Sequence, residues 1–264
     1  MTRGLHIDRE RAIFVLCLAF GLTAPTVTLG QEPWKRRWLN PEIPIHVATA
    51  RLPAGMTATE FLEAVRAAAG RWSFPAVPCT SIKLRVVAEP RRSASREDGT
   101  SLVVFRTRRW CHNARCSSGR SFAAWMAAMT TVLPHPKRAR GPIREADIEL
   151  NAVHFDWDPN VHAKATPSRP VTDQGGTRSK PTLPLRAVLI HELGHVLGFE
   201  DACAGVRAHS RPRLSGCPKP QRQSVMLASA ERPDLTSYDI ERLCAAYPAR
   251  QPATKRERAS ASAH

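Results

Sequence analysis

The chain has 264 residues, 42% hydrophobic and 23% charged, a composition that suits one sizeable globular core and excludes a fibrous or wholly disordered chain. Its formal net charge of +16 comes mostly from arginines scattered along the sequence. With no nucleic-acid module among them, a solvated basic surface is expected and nucleic acid is not an expected partner.

Residues 1–30 read as an export signal. Arg3, Arg9 and Arg11 give a positive start, and Ala12 to Leu22 is an apolar run too short to span a membrane. A cut near Gly30 would remove Cys17 and leave Cys79, Cys111, Cys116, Cys203, Cys217 and Cys244. An even count in an exported chain predicts disulfides, with the connectivity open. Short loops join Cys111 to Cys116 and Cys203 to Cys217, which leaves Cys79 for Cys244. No other segment is long and apolar enough to cross a bilayer, and a monomer is expected.

Alternation of Ile43, Ile45 and Val47 predicts a strand over 43–49. A helix is predicted over 57–74: Thr57 with Glu60 matches a capping box, and Phe61, Val65, Ala68 and Trp72 share one face. Further strands are predicted over 81–88, 101–107, 127–133 and 146–151. The stretches 111–119, 134–142 and 158–180 read as loops. A helix over 183–199 and a last helix over 237–247, capped by Thr236 and Asp239, follow. Residues 249–264 read as a basic disordered tail. The pattern is α+β: a mixed sheet with helices first, then a smaller loop-rich part ending in a helix.

The chemistry concentrates in His191-Glu192-Leu193-Gly194-His195-Val196-Leu197-Gly198-Phe199-Glu200-Asp201. Residues four apart lie one above the other on a helix, so His191 and His195 can face one ion. Catalytic zinc sites typically use three protein ligands and keep a position for water. Glu192, beside the first ligand, can act as general base on that water. Gly198 suits a helix end that needs positive φ, returning the chain so that Asp201 can supply the third ligand. Glu200 and His209 are the alternative third ligands.

This run resembles the HExxHxxGxxH signature of the metzincin zinc proteases, with Asp201 in place of the usual histidine as in the snapalysin-like branch. Ser224-Val225-Met226 resembles the family's Met-turn, which would put Met226 beneath the ligands as a hydrophobic base. Asp234 to Ile240 is similar to the start of the last helix of matrixins. Residues 127–132 and 146–151 resemble bacterial matrixin-like proteases, in which the first segment is the edge strand above the cleft.

The resemblance implies a metzincin-like α+β fold: a twisted mixed sheet with two helices in an N-terminal subdomain (40–198), a zinc cleft, and a small C-terminal subdomain (199–248). Together these form one catalytic domain over 31–248. It implies a secreted zinc endopeptidase acting on protein or peptide substrates, with Glu192 as base and His191, His195 and Asp201 on zinc. Ala128, Thr130 and Thr131 would line the substrate strand. The departures are Asp201, the lack of a long propeptide and the lack of a cysteine-switch motif. Asp201 and the missing propeptide leave room for a catalytically silent binding protein of the same fold, and the basic charge for a polyanion binder with structural zinc. His154, Asp156, Asp158 and His162 are candidates for an additional structural calcium or zinc, though a solvated loop is the expected reading there.

Overall fold

The computed structural model describes residues 36–92, 97–111, 121–135, 142–159, 180–203, 207–208, 211–212, 217–228 and 232–249. The chain divides into Met1–Pro33 and Trp34–His264, and every described residue belongs to the second unit. The proposed signal segment, His162, His209, Cys116 and all of the expected tail except Ala249 lie outside the described residues.

Five strands form the main sheet: β1 (Glu42–Ala48), β2 (Lys83–Glu89), β3 (Leu102–Arg106), β4 (Ala128–Pro134) and β5 (Ile143–Asn151), in the order β2-β1-β3-β5-β4. All neighbours are parallel except β4, which runs antiparallel to β5 at the sheet's edge. The molecule is therefore mixed α/β with a mixed-direction sheet. Two helices, α1 (Ala58–Arg71) and α2 (Leu185–Val196), join the sheet in one core.

The capping box at Thr57 and Glu60 forms as expected, and Phe61, Val65, Ala68 and Trp72 are buried. The helix stops at Arg71, three residues short of the expected end. The Phe74 N–H donates to Ile82 O instead of continuing the helix, and Pro75 disfavours helical geometry in the residue before it. Helix α2 is buried on almost every side, so it reads as a continuous apolar run rather than as an amphipathic stripe. It begins at Leu185 because Thr182–Pro184 forms a short strand, β7, parallel to β6 (Asp156–Asp158). That pair places His154, Asp156 and Asp158 in and beside a strand, where a loop was expected.

Strand β5 starts at Ile143, earlier than expected, because Ile143 N–H is held by Arg37 O. Ala146, Ile148 and Leu150 join the core, while the alternate residues Glu145, Asp147, Glu149 and Asn151 are also buried. Burial of these polar groups demands partners. Glu145 accepts from Gly99 N–H (2.5 Å), Asp147 from Leu102 N–H (2.9 Å) and Glu149 from Arg106 Nε (2.5 Å). Asn151 Nδ2 donates to Met126 O (2.8 Å).

Beyond α2 come a short hairpin, β8 (Arg207–Ala208) with β9 (Arg211–Pro212), then α3 (Lys219–Gln223) and α4 (Ser237–Ala246). The hairpin and α3 were not anticipated. Disulfides join Cys203 to Cys217 across the short loop and Cys79 to Cys244, the pair left over, and so decide a connectivity that the sequence left open. Cys111 is also disulfide-bonded, and its expected partner Cys116 lies outside the described residues. No described helix is long and apolar enough to cross a membrane.

Candidate metal centre

Helix α2 carries His191 and His195 one turn apart, and their Nε2 atoms lie 3.1 Å from one another. The helix ends because Gly198 adopts φ +87, a conformation that side chains other than glycine's resist. The Gly198 N–H donates to His195 O and that of Phe199 to Gly194 O, closing the helix end. A Cβ at 198 would also stand 2.5 Å from Arg36 O, so the close-packed N-terminal arm excludes any larger residue.

The turn at Gly198 brings Asp201 back to the histidines. Its Oδ1 lies 3.3 Å from His191 Nε2 and 3.3 Å from His195 Nε2. These three residues can hold a metal ion, and no other such group occurs among the described residues. Glu200, one of the alternative third ligands, is exposed and is not part of this group.

Each ring is oriented from behind. His191 Nδ1 is 2.8 Å from Val225 O and His195 Nδ1 is 2.7 Å from Phe199 O. A carbonyl only accepts, so Nδ1 of each ring carries the proton, and in the neutral ring Nε2 presents its lone pair to the centre. Burial disfavours the His195 charge, yet the hydrogen bond to Asp201, the nearby Glu192 and Asp201 charges and the Phe199 carbonyl together push its pKa up to about 9. Burial also works against the Asp201 carboxylate, but the hydrogen bonds from His191 and His195 hold its pKa well below the usual range.

No protein-family model matches this chain, and no curated protein matches it.

The floor of that site is the turn 224–226. Met226 is buried against α2: a Cβ built on Gly194 would meet its Sδ at 2.1 Å. Ala202 N–H donates to Met226 O (2.7 Å), so the segment carrying Asp201 is tied to the same turn. Asp239 holds the turn in place: one oxygen accepts from Ser224 Oγ, the other from Val225 N–H (3.1 Å) and from the cap residue Thr236 (2.9 Å to its N–H). The cap of α4 and the orientation of His191 therefore share one carboxylate. Spacing revealed Asp239 as a cap; its second role depends on two segments meeting in space.

The N-terminal arm closes the end of α2. Trp38 Nε1 donates to Val196 O (2.7 Å), and Tyr247 Oη donates to Leu197 O (2.8 Å) while accepting from Trp38 N–H (3.1 Å). These bonds satisfy carbonyls that a helix end leaves bare. No local sequence signal marks either residue for the task.

Of the three residues expected on the substrate strand, Thr130 reaches the site. Its Oγ1 lies 2.5 Å from Glu192 Oε2. Ala128 and Thr131 sit on β4 opposite Leu150 and Asp147, and they make no hydrogen bond to the His-His-Asp group among the described contacts.

Proposed function

We propose that the chain is a secreted, zinc-dependent endopeptidase of the metzincin type. The observation that carries this reading is the triangle of Nε2, Nε2 and Oδ1, with the Glu192 carboxylate on the same buried helix. Bonds of about 2.0–2.1 Å to a tetrahedral ion put neighbouring ligand atoms about 3.3 Å apart. The separations here are 3.1, 3.3 and 3.3 Å. The donor set, two imidazoles and a carboxylate, suits zinc and resembles catalytic sites more than structural ones, which usually use four protein ligands. Met226 beneath α2 is consistent with a Met-turn.

When bound, zinc supplies Lewis acidity towards water and a substrate carbonyl. Glu192 takes the proton from the attacking water and passes it to the departing amine. His191, His195 and Asp201 hold the ion, and the Val225 and Phe199 carbonyls keep both rings aimed. The outer edge of β4, where no described strand pairs, would offer main-chain groups to an extended peptide. The disulfides support action in an oxidising, extracellular compartment.

The test compares the mature protein with Glu192→Ala for bound zinc and for cleavage of an unfolded protein, with and without a chelator. Both proteins should bind zinc. The parent should cleave, the variant should be slower by about 10²–10⁴-fold, and chelation should stop the reaction. Absence of zinc from both would overturn the reading.

A further inference from the structure

We infer that Thr130 is a positioning residue for the Glu192 carboxylate, an inference that rests on the proteolytic reading of the site. Two independent features of β4 lead to it.

The first is the sheet register. Thr130 stands directly opposite Ile148, and cross-strand partners share a face. Ile148 is fully buried in the core that contains α2, so Thr130 must point towards that helix. Its neighbour Thr131, opposite Asp147, points to the other face. The register therefore selects one hydroxyl of the pair. The Thr130 Oγ1 stands 2.5 Å from Glu192 Oε2, within the range of a charge-assisted O–H···O⁻ bond. An ionised carboxylate only accepts, so the hydroxyl donates.

The second is the hydrogen-bond alternation. Asn151 N–H donates to Ala127 O (2.8 Å), which makes 127 and 151 a hydrogen-bonded pair. In an antiparallel ladder the pairs alternate, so Ala128, Thr130 and Val132 turn their main-chain N–H and C=O to the outer edge, where no described strand pairs. Thr130 thus combines a main chain open to an arriving peptide with a side chain on the base.

A glutamate has three side-chain torsions, and holding it in one rotamer removes that freedom before the reaction begins. With Oε2 held by Thr130, Oε1 remains for the water. Without the hydroxyl, Oε2 loses this partner and the carboxylate is free to leave the rotamer that faces Thr130.

The test uses zinc-loaded parent, Thr130→Val, Thr130→Ser and Glu192→Ala proteins. Three-bond couplings to the Thr130 methyl group report its rotamer without any need for turnover. One rotamer is expected in the parent and averaging in Glu192→Ala. Steady-state cleavage of one peptide mapped from the products of an unfolded protein gives kcat and KM. Thr130→Val should lose about tenfold to a hundredfold in kcat, with KM and zinc content unchanged, and Thr130→Ser should recover most of it. Rotamer averaging in the parent, a parental kcat in Thr130→Val, or a Thr130→Ser protein as slow as Thr130→Val would each overturn the inference. A zinc-loaded parent that cleaves nothing would remove the proteolytic reading alone, and the couplings would still decide whether Thr130 holds Glu192.

Discussion

Gly194 and Gly70 are both glycines inside helices, and they should respond in opposite directions to the same substitution. A Cβ on Gly194 would stand 2.1 Å from Met226 Sδ and 3.1 Å from Trp72 Cζ2. Trp72 cannot yield easily, because its Nε1 donates to Ile190 O (2.8 Å) and its ring stacks on Phe199. Alanine gains up to about 1 kcal/mol in helix propensity over glycine, whereas overpacking a filled core costs about 1–3 kcal/mol. The steric cost wins at 194. Gly194→Ala should lower the urea midpoint, and Gly70→Ala, whose Cβ meets nothing within 4 Å, should raise it. Equal midpoints for the two variants would mean that Met226 does not pack against α2 as described.

At the scale of elements, α4 supports the turn beneath the candidate site through Asp239. The capping box at its N-terminus was legible because Thr236 and Asp239 have the right spacing. The link onward to Ser224 and Val225, and so to His191, was not, because fifteen residues separate Asp239 from Ser224 in the chain. Asp239→Asn turns an amide NH₂ towards donors that need an acceptor. It should cost about 1–3 kcal/mol in stability and weaken zinc affinity about 10–100-fold, since Val225 O orients His191. Thr236→Ala should cost about 1 kcal/mol with little change in zinc affinity. Competition against a chromogenic chelator, alongside urea unfolding, separates the two effects.

For the molecule as a whole, the buried acids of β5 should set its pH response. Burial, and then the neighbouring Glu145 and Glu149 charges, push the Asp147 pKa up to about 8 despite the Leu102 N–H that it accepts. Burial raises Glu145 as well. An unfolded aspartate titrates near 3.8. Between about pH 4 and about pH 8 the folded state therefore holds more protons than the unfolded one, and stability falls as pH rises through that window. Asp147→Asn keeps an acceptor for Leu102 N–H and offers Glu145 a permanent donor, so it should flatten the decline. Denaturant midpoints measured at intervals from pH 5 to pH 8.5 would show it. A parent whose midpoint is constant over this range would contradict a protonated Asp147.

What the sequence by itself determined is whatever depends on near neighbours in the chain: the period-two strands, both capping boxes, the i, i+4 histidines, the glycine that ends α2, and the short disulfide loop. Each follows from backbone geometry acting over a few residues. The tertiary structure decided what depends on segments meeting. Trp38 and Tyr247 close the end of α2, Asp239 supports the turn beneath His191, and β5 buries its acids although polar alternation also fits a strand with one wet face. The edge-strand register chose Thr130 over Thr131. Such contacts leave no periodic trace, because side-chain burial and pairing are set by which surfaces the folded chain brings together.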